Sequence, residues 1–173
     1  MDALPPDAGD LAIMQPGAPG YAEALWQPVP ANGHINVLIA PHRMQMAERF
    51  AMGTQTVPPG SFVREHAHDR IEEVIHVLSG HGTALIEDVE HAMVPGTTFF
   101  LGRHRRHKFT NTGSVDLTFM WIVVPNGLEE FFAGIGRPKV DGAPDPTPFP
   151  RPADVLQIEA RTVFTPPTKN SQV

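Results

Sequence analysis

Residues 60–80 read GSFVREHAHDRIEEVIHVLSG, and two histidines and a glutamate within them carry most of the information in this chain. His66 and His68 stand two residues apart, and Glu73 follows five residues later. Successive side chains of a β-strand alternate faces, so positions i and i+2 share a face and both imidazoles can reach one point. Asp69 and Arg70 suit a bend, after which Glu73 returns toward the same interior from the next strand. Glu72 is the other available carboxylate, but its one-residue offset turns it to the opposite face. Neutral imidazoles with a carboxylate suit Fe, Mn, Ni, Zn or Cu and do not choose among them.

Working outward, residues 96–111, GTTFFLGRHRRHKFTN, offer a further histidine. The first segment resembles the first cupin motif, G(X)5HXH(X)4E(X)6G, with Gly60, His66, His68, Glu73 and Gly80 at every fixed position. The second is similar to the second cupin motif, G(X)5PXG(X)2H(X)3N. There Gly96, His107 and Asn111 match, whereas Gly102 stands where Pro is usual and His104 where Gly is usual. Both departures lie in the loop ahead of the ligand, and His107 keeps its spacing. In cupins the three histidines and the glutamate hold one metal inside a small jelly-roll barrel. The resemblance therefore implies metal-ligand roles for His66, His68, Glu73 and His107. It spans residues 60–111 and extends more loosely over 36–132.

The surrounding sequence agrees with an all-β, single-domain jelly-roll β-barrel. Candidate strands run over 35–39, 46–57, 61–66, 72–79, 82–87, 91–94, 97–101, 107–111 and 116–124. Turn residues separate them at Pro58-Pro59-Gly60, Ser79-Gly80-His81-Gly82, Pro95-Gly96 and Asn111-Thr112-Gly113-Ser114. Many short strands at this spacing mark sandwiches and barrels. Residues 1–33 are rich in Pro, Gly and Ala without a sustained period and are expected to form an N-terminal arm, anchored by Tyr21, Leu25 and Trp26. The barrel is expected over 34–125, with short helices and a Pro-rich tail over 126–173. Asn126 followed by Glu129, with Leu128, Phe131, Phe132 and Ile135 as an apolar stripe, predicts a helix over 127–134. A second is expected over 153–160, with Pro152 at its first position.

Composition narrows the function. A chain of 173 residues, 41% hydrophobic, buries one core. A net charge of −6 argues against a phosphate-driven nucleic-acid binder, which needs clustered Lys and Arg. The absence of cysteine rules out disulfides, thiolate nucleophiles and Cys-ligated zinc, so any metal sits on N and O ligands. No run approaches 18 apolar residues and the first residues do not resemble a signal peptide; a cytoplasmic protein without membrane contact is expected. Apolar residues on the barrel sheets and the 1–33 arm suggest a homodimer.

Arg64 shares strand parity with His66 and His68, which makes it either a clamp for a substrate carboxylate or phenolate or a rim arginine paired near Glu65 or Glu72. Phe62, Ile75, Phe109, Phe119 and Trp121 are expected to line or pack the barrel interior, giving an apolar cavity with the metal at depth. The first four of these other than Phe119, namely Phe62, Ile75, Phe109 and Trp121 together with Arg64, form the candidate substrate-binding set. His76 reads as a hydrogen-bonded structural histidine, and the basic run 103–107 as a solvated or partner-facing surface. Three His and a Glu leave open positions on an octahedral ion, which favours catalysis. The resemblance then points to a dioxygenase of the quercetin-dioxygenase-like type, with Fe(II) as first choice of metal. Its substrate would be a small chelating enol, diketone or phenol, and Glu73 the catalytic base. The alternatives are a Lewis-acid lyase or isomerase and a non-catalytic small-molecule-binding cupin. Tyr21 is the only tyrosine, which weighs against a lyase with a tyrosine base.

Overall fold

A computed structural model describes residues 9–165. Eleven strands form two antiparallel sheets. The larger runs β11 (Arg137–Pro138), β1 (Glu23–Trp26), β2 (His34–Ile39), β3 (Ala51–Val57), β10 (Leu117–Val124), β5 (Glu72–Ser79), β8 (Thr98–Leu101). The smaller runs β4 (Phe62–His66), β9 (His107–Asn111), β6 (Gly82–Ile86), β7 (Val89–Met93). Two helices, α1 (Leu128–Ile135) and α2 (Val155–Arg161), follow the last long strand. The architecture is the all-β jelly roll expected from the sequence.

Period-2 alternation builds the core. On β10, Leu117, Phe119, Trp121 and Val123 are buried while the residues between them face outward. On β5, Glu73, Ile75 and Val77 form the inner row, and on β9, His107, Phe109 and Asn111 do. Each large apolar side chain so enclosed contributes roughly 1.5–3 kcal/mol. The inner rows thus supply the drive for sheet closure and, at Glu73, His107 and Asn111, a polar group in an apolar interior.

Several local expectations change. The strand expected over 46–57 begins only at Ala51, because residues 41–50 form turns and bends held by Arg43, whose backbone N–H bonds the Ala40 carbonyl at 2.9 Å. The arm contains a strand: β1 pairs with β2 and with β11, and Leu25 is buried in the core. Four residues are too few for a period to show in the sequence; the partner strands supply the order. Helix α1 is not capped by the Asn126 side chain. Glu129 reaches back instead, accepting from Gly127 N and from Asn126 Nδ2 at 2.7 Å each. Helix α2 begins at Val155, with Pro152 in the preceding turn, where its carbonyl accepts from Val155 N at 3.1 Å.

Asn111 explains one motif position. It is 1% exposed, its Nδ2 donates to the carbonyls of Val57 (2.7 Å) and Val115 (2.8 Å), and its Oδ1 accepts from Gly113 N (2.9 Å). The amide ties the end of β9 to the ends of β3 and the turn before β10. Asn111→Ala orphans three backbone groups and is expected to cost about 2 kcal/mol in a denaturant titration.

Candidate metal centre

One ligating atom from each of His66, His68, Glu73 and His107 lies within 4.8 Å of the others. The two sheets bring them together. His66 ends β4 directly opposite His107 on β9, and Glu73 arrives from the larger sheet on β5. His68 lies just beyond β4 and makes an isolated bridge to Phe164. Glu73 is 4% exposed whereas Glu72 faces solvent, as strand parity requires.

The smaller sheet carries an irregularity at the site. Val63 pairs with Phe109 and His66 with His107, so Arg64 and Glu65 together oppose Lys108. This extra residue is a β-bulge, which lets Val63 and His66 face the interior although they are three apart. Arg64 still shares the cavity side with His66, and it is Val63 whose parity the bulge shifts. Glu65 turns outward toward Arg106 (3.4 Å), and Arg64 goes to the cavity wall.

Backbone carbonyls set the tautomers. His66 Nδ1 lies 2.8 Å from the Arg64 carbonyl, His107 Nδ1 2.8 Å from that of Arg105, and His68 Nδ1 3.2 Å from that of Val163. A carbonyl only accepts, so each Nδ1 carries the proton and each Nε2 presents a lone pair. Burial, then repulsion from His107 and His68, holds His66 well below the usual imidazole range, so it is neutral at pH 7. Burial would push the Glu73 carboxyl up, and positive charge on the His107 and His68 side of it, from cationic imidazoles or a bound cation, is what outweighs burial and holds the group well below the usual carboxylate range.

The residues fit a bound cation. His68 Nε2, His107 Nε2 and Glu73 Oε2 are buried without a hydrogen-bond partner among the described residues. Such orphans are costly unless something else satisfies them. Glu73 Oε2 stands 3.2 Å from His107 Nε2 and 3.5 Å from His68 Nε2, close to the separation of neighbouring ligands that each lie about 2.1 Å from one ion.

The centre opens onto a cavity of about 60 Å³. A buried water needs only about 10–15 Å³, so the space accepts a small molecule. Its wall is mostly apolar, with Phe62, Phe109, Phe131, Phe132 and Phe164 among the lining groups, and His66 and Glu73 expose the centre to it. Of the candidate substrate-binding residues, Phe62, Arg64 and Phe109 line this space. Ile75 and Trp121 do not: both are 1% exposed and belong to the packed core, Trp121 against Phe132 with ring centroids 5.5 Å apart.

The other expectations fall as follows. Arg64 forms its ion pair with Glu159 of α2, not with the carboxylate of Glu65 or Glu72, and burial and the neighbouring Arg151 pull its guanidinium below its ordinary value. His76 Nδ1 bonds Thr98 Oγ1 at 2.8 Å on the outer side. In the basic run, Arg106 pairs with Asp88 at 2.7 Å, and His104, at φ 63°, makes a turn whose N–H bonds the His68 carbonyl. Tyr21 lines a separate groove that shares no residue with the centre. The sequence reading missed Gln27, Gln55, Arg151, Glu159 and Phe164 at the cavity or its rim. Gln55 carried a signal, since it alternates with Gly53 and Val57 on an inward face, and its Nε2 donates to buried Gln27 Oε1 at 2.8 Å. The others lie outside the strands and carried none.

Comparison with known proteins agrees with this fold. The profile of the Cupin domain family matches residues 53–123. Protein SchB of Streptomyces halstedii is 31% identical over 93 residues, covering 54% of this chain and 67% of its own length. A sugar phosphate isomerase of the cupin superfamily from Silicibacter pomeroyi superposes with a TM-score of 0.51 at 20% identity, over 60% of this chain and 71% of that one. KdgF from Halomonas sp. superposes at 0.50 and 17% identity, over 58% and 86%. The two structures show the same fold. Among the described residues no helix is long and apolar enough to cross a membrane.

Proposed function

The chain belongs to the cupin superfamily, and on that premise we propose that it is a metal-dependent dioxygenase of a small chelating enol, diketone or phenol. The observation that carries the reading is the set of unsatisfied Nε2 and carboxylate atoms at the wall of an apolar cavity. His66, His68, Glu73 and His107 would hold the ion, Fe(II) by first choice. When bound, the ion supplies Lewis acidity and redox capacity at its open positions.

The chain's own residues do the rest. Glu73 would be the base for the proton that an enol or phenol loses in the cavity, provided its carboxylate loosens from the ion. The phenylalanine wall excludes water and accepts an aromatic or planar group. Against the phenylalanine wall the hydroxyls of a polyhydroxylated sugar find no partner, each at a cost of about 1–3 kcal/mol, and outside the metal centre only the side chains of Gln27, Gln55, Arg64 and Arg151 offer any elsewhere in the lining. This favours the enol or phenol over the sugar phosphate that the Silicibacter neighbour's name specifies.

The test is metal analysis of untagged protein followed by an oxygen-electrode screen of diketones and catechol-like compounds. One ion per chain and oxygen uptake coupled to product are expected, and turnover should stop under anaerobic conditions. Undiminished product without O2 would replace this reading with a lyase or isomerase.

A further inference from the structure

The cavity has a second polar end, assembled from residues far apart in the sequence. Arg64 on β4 and Arg151, in the extended segment before α2, both line it. Their Nη2 groups meet on one atom, Oε1 of Glu159 on α2. The Glu159 side chain is 8% exposed, and those of Arg64 and Arg151 are 34% and 24% exposed. Two cations thus share one anion beside an apolar wall, with Phe164 lying 5.7 Å from the Arg64 guanidinium carbon.

The donors are not used up. A guanidinium offers five N–H groups in a planar fork suited to a carboxylate. Arg64 gives Nη1 to the Glu65 carbonyl at 3.1 Å, and Arg151 makes no second hydrogen bond among the described residues. Tethering one short helix requires a single ion pair. A half-buried second cation with unspent donors is poorly compensated unless another anion arrives.

We propose that Arg64 and Arg151 form a subsite for a carboxylate carried by the substrate, with Glu159 as the internal counter-ion that neutralises the pair and that the incoming carboxylate competes with. The inference rests on the reading of the chain as a small-molecule enzyme and narrows its substrate class. The substrate is a compact acid: its chelating oxygens lie at the histidine end, its planar apolar part against the phenylalanines, and its carboxylate at the arginines.

The probes are benzoate and its neutral isostere benzamide, titrated by NMR into the full chain after dialysis against a chelator, so that no metal attracts the carboxylate. The wild type should bind benzoate about tenfold or more tightly than benzamide. Arg151→Gln should bring that ratio near one while benzamide affinity changes less than about twofold. Glu159→Gln keeps the side chain's size and removes the competing charge, so it should raise benzoate affinity several-fold. Equal affinity for the two probes in the wild type overturns the proposal. So does an unchanged ratio in Arg151→Gln, or an equal loss of both probes, which would leave the arginines as tethers for α2. If Arg151→Gln does not fold, Glu159→Gln carries the test alone: a benzoate affinity that fails to rise overturns the subsite. Metal content and oxygen uptake are measured separately, so the enzymatic reading and the subsite fail on different readouts.

Discussion

His107→Ala is expected to abolish stoichiometric metal, lowering affinity by more than about 100-fold in a competitive chelator titration. Loss of a residue that merely orients a ligand costs about 10–100-fold, and removal of the ligand itself costs more. His107 has no compensating neighbour. It is 1% exposed, its Nδ1 is fixed by the Arg105 carbonyl, and its Nε2 stands 3.2 Å from Glu73 Oε2. His104, the nearest other imidazole in the sequence, sits in a turn whose backbone is tied to the His68 carbonyl, and its Nδ1 lies 3.5 Å from Thr165 Oγ1. His66→Ala and His68→Ala should behave alike. Full metal content in all three variants would sink the ligand assignment.

Gly80→Ala is expected to be the most damaging single methyl addition among the motif positions, at about 2–5 kcal/mol in chemical denaturation. Gly80 has φ 80°, which costs an L-residue about 1–2 kcal/mol. A Cβ there would also lie 2.2 Å from the Asp116 carbonyl oxygen and 2.8 Å from Leu117 Cα, and backbone cannot step aside as a side-chain tip does. That overpacking adds about 1–3 kcal/mol. Gly60 is the control. It shares the left-handed backbone, φ 73°, but nothing lies within 4 Å of its added Cβ, so Gly60→Ala should cost only about 1–2 kcal/mol. Equal costs for the two variants would show that the close approach of β5 to the turn before β10 does not matter. The two glycines of the first motif thus answer to different physics, one to conformation alone and one to conformation and space.

The strands of the barrel were largely legible because their inner rows alternate with solvent-facing residues, and a two-residue period survives any tertiary context that buries one face. Glu73 over Glu72 followed from that parity, and so did Phe109 beside His107. Parity placed Arg64 on the cavity side but not Val63, because the bulge opposite Lys108 adds one residue to β4. A bulge has no compositional mark here, since Arg64 and Glu65 are ordinary strand residues. Strand β1 was missed because four residues gain their order from β2 and β11.

By itself, then, the sequence determined which side chains are able to meet: strand parity put His66, His68 and Glu73 toward one interior, and the resemblance to the second cupin motif added His107. Only the tertiary structure decided what surrounds them. The carbonyl that orients His68 comes from Val163, the wall over His66 from Phe164, and the partners of Arg64 from positions 151 and 159. These groups lie some 90 residues away along the chain from those they serve. No local period encodes such a contact, because it forms only when α2 packs back across the mouth of the barrel.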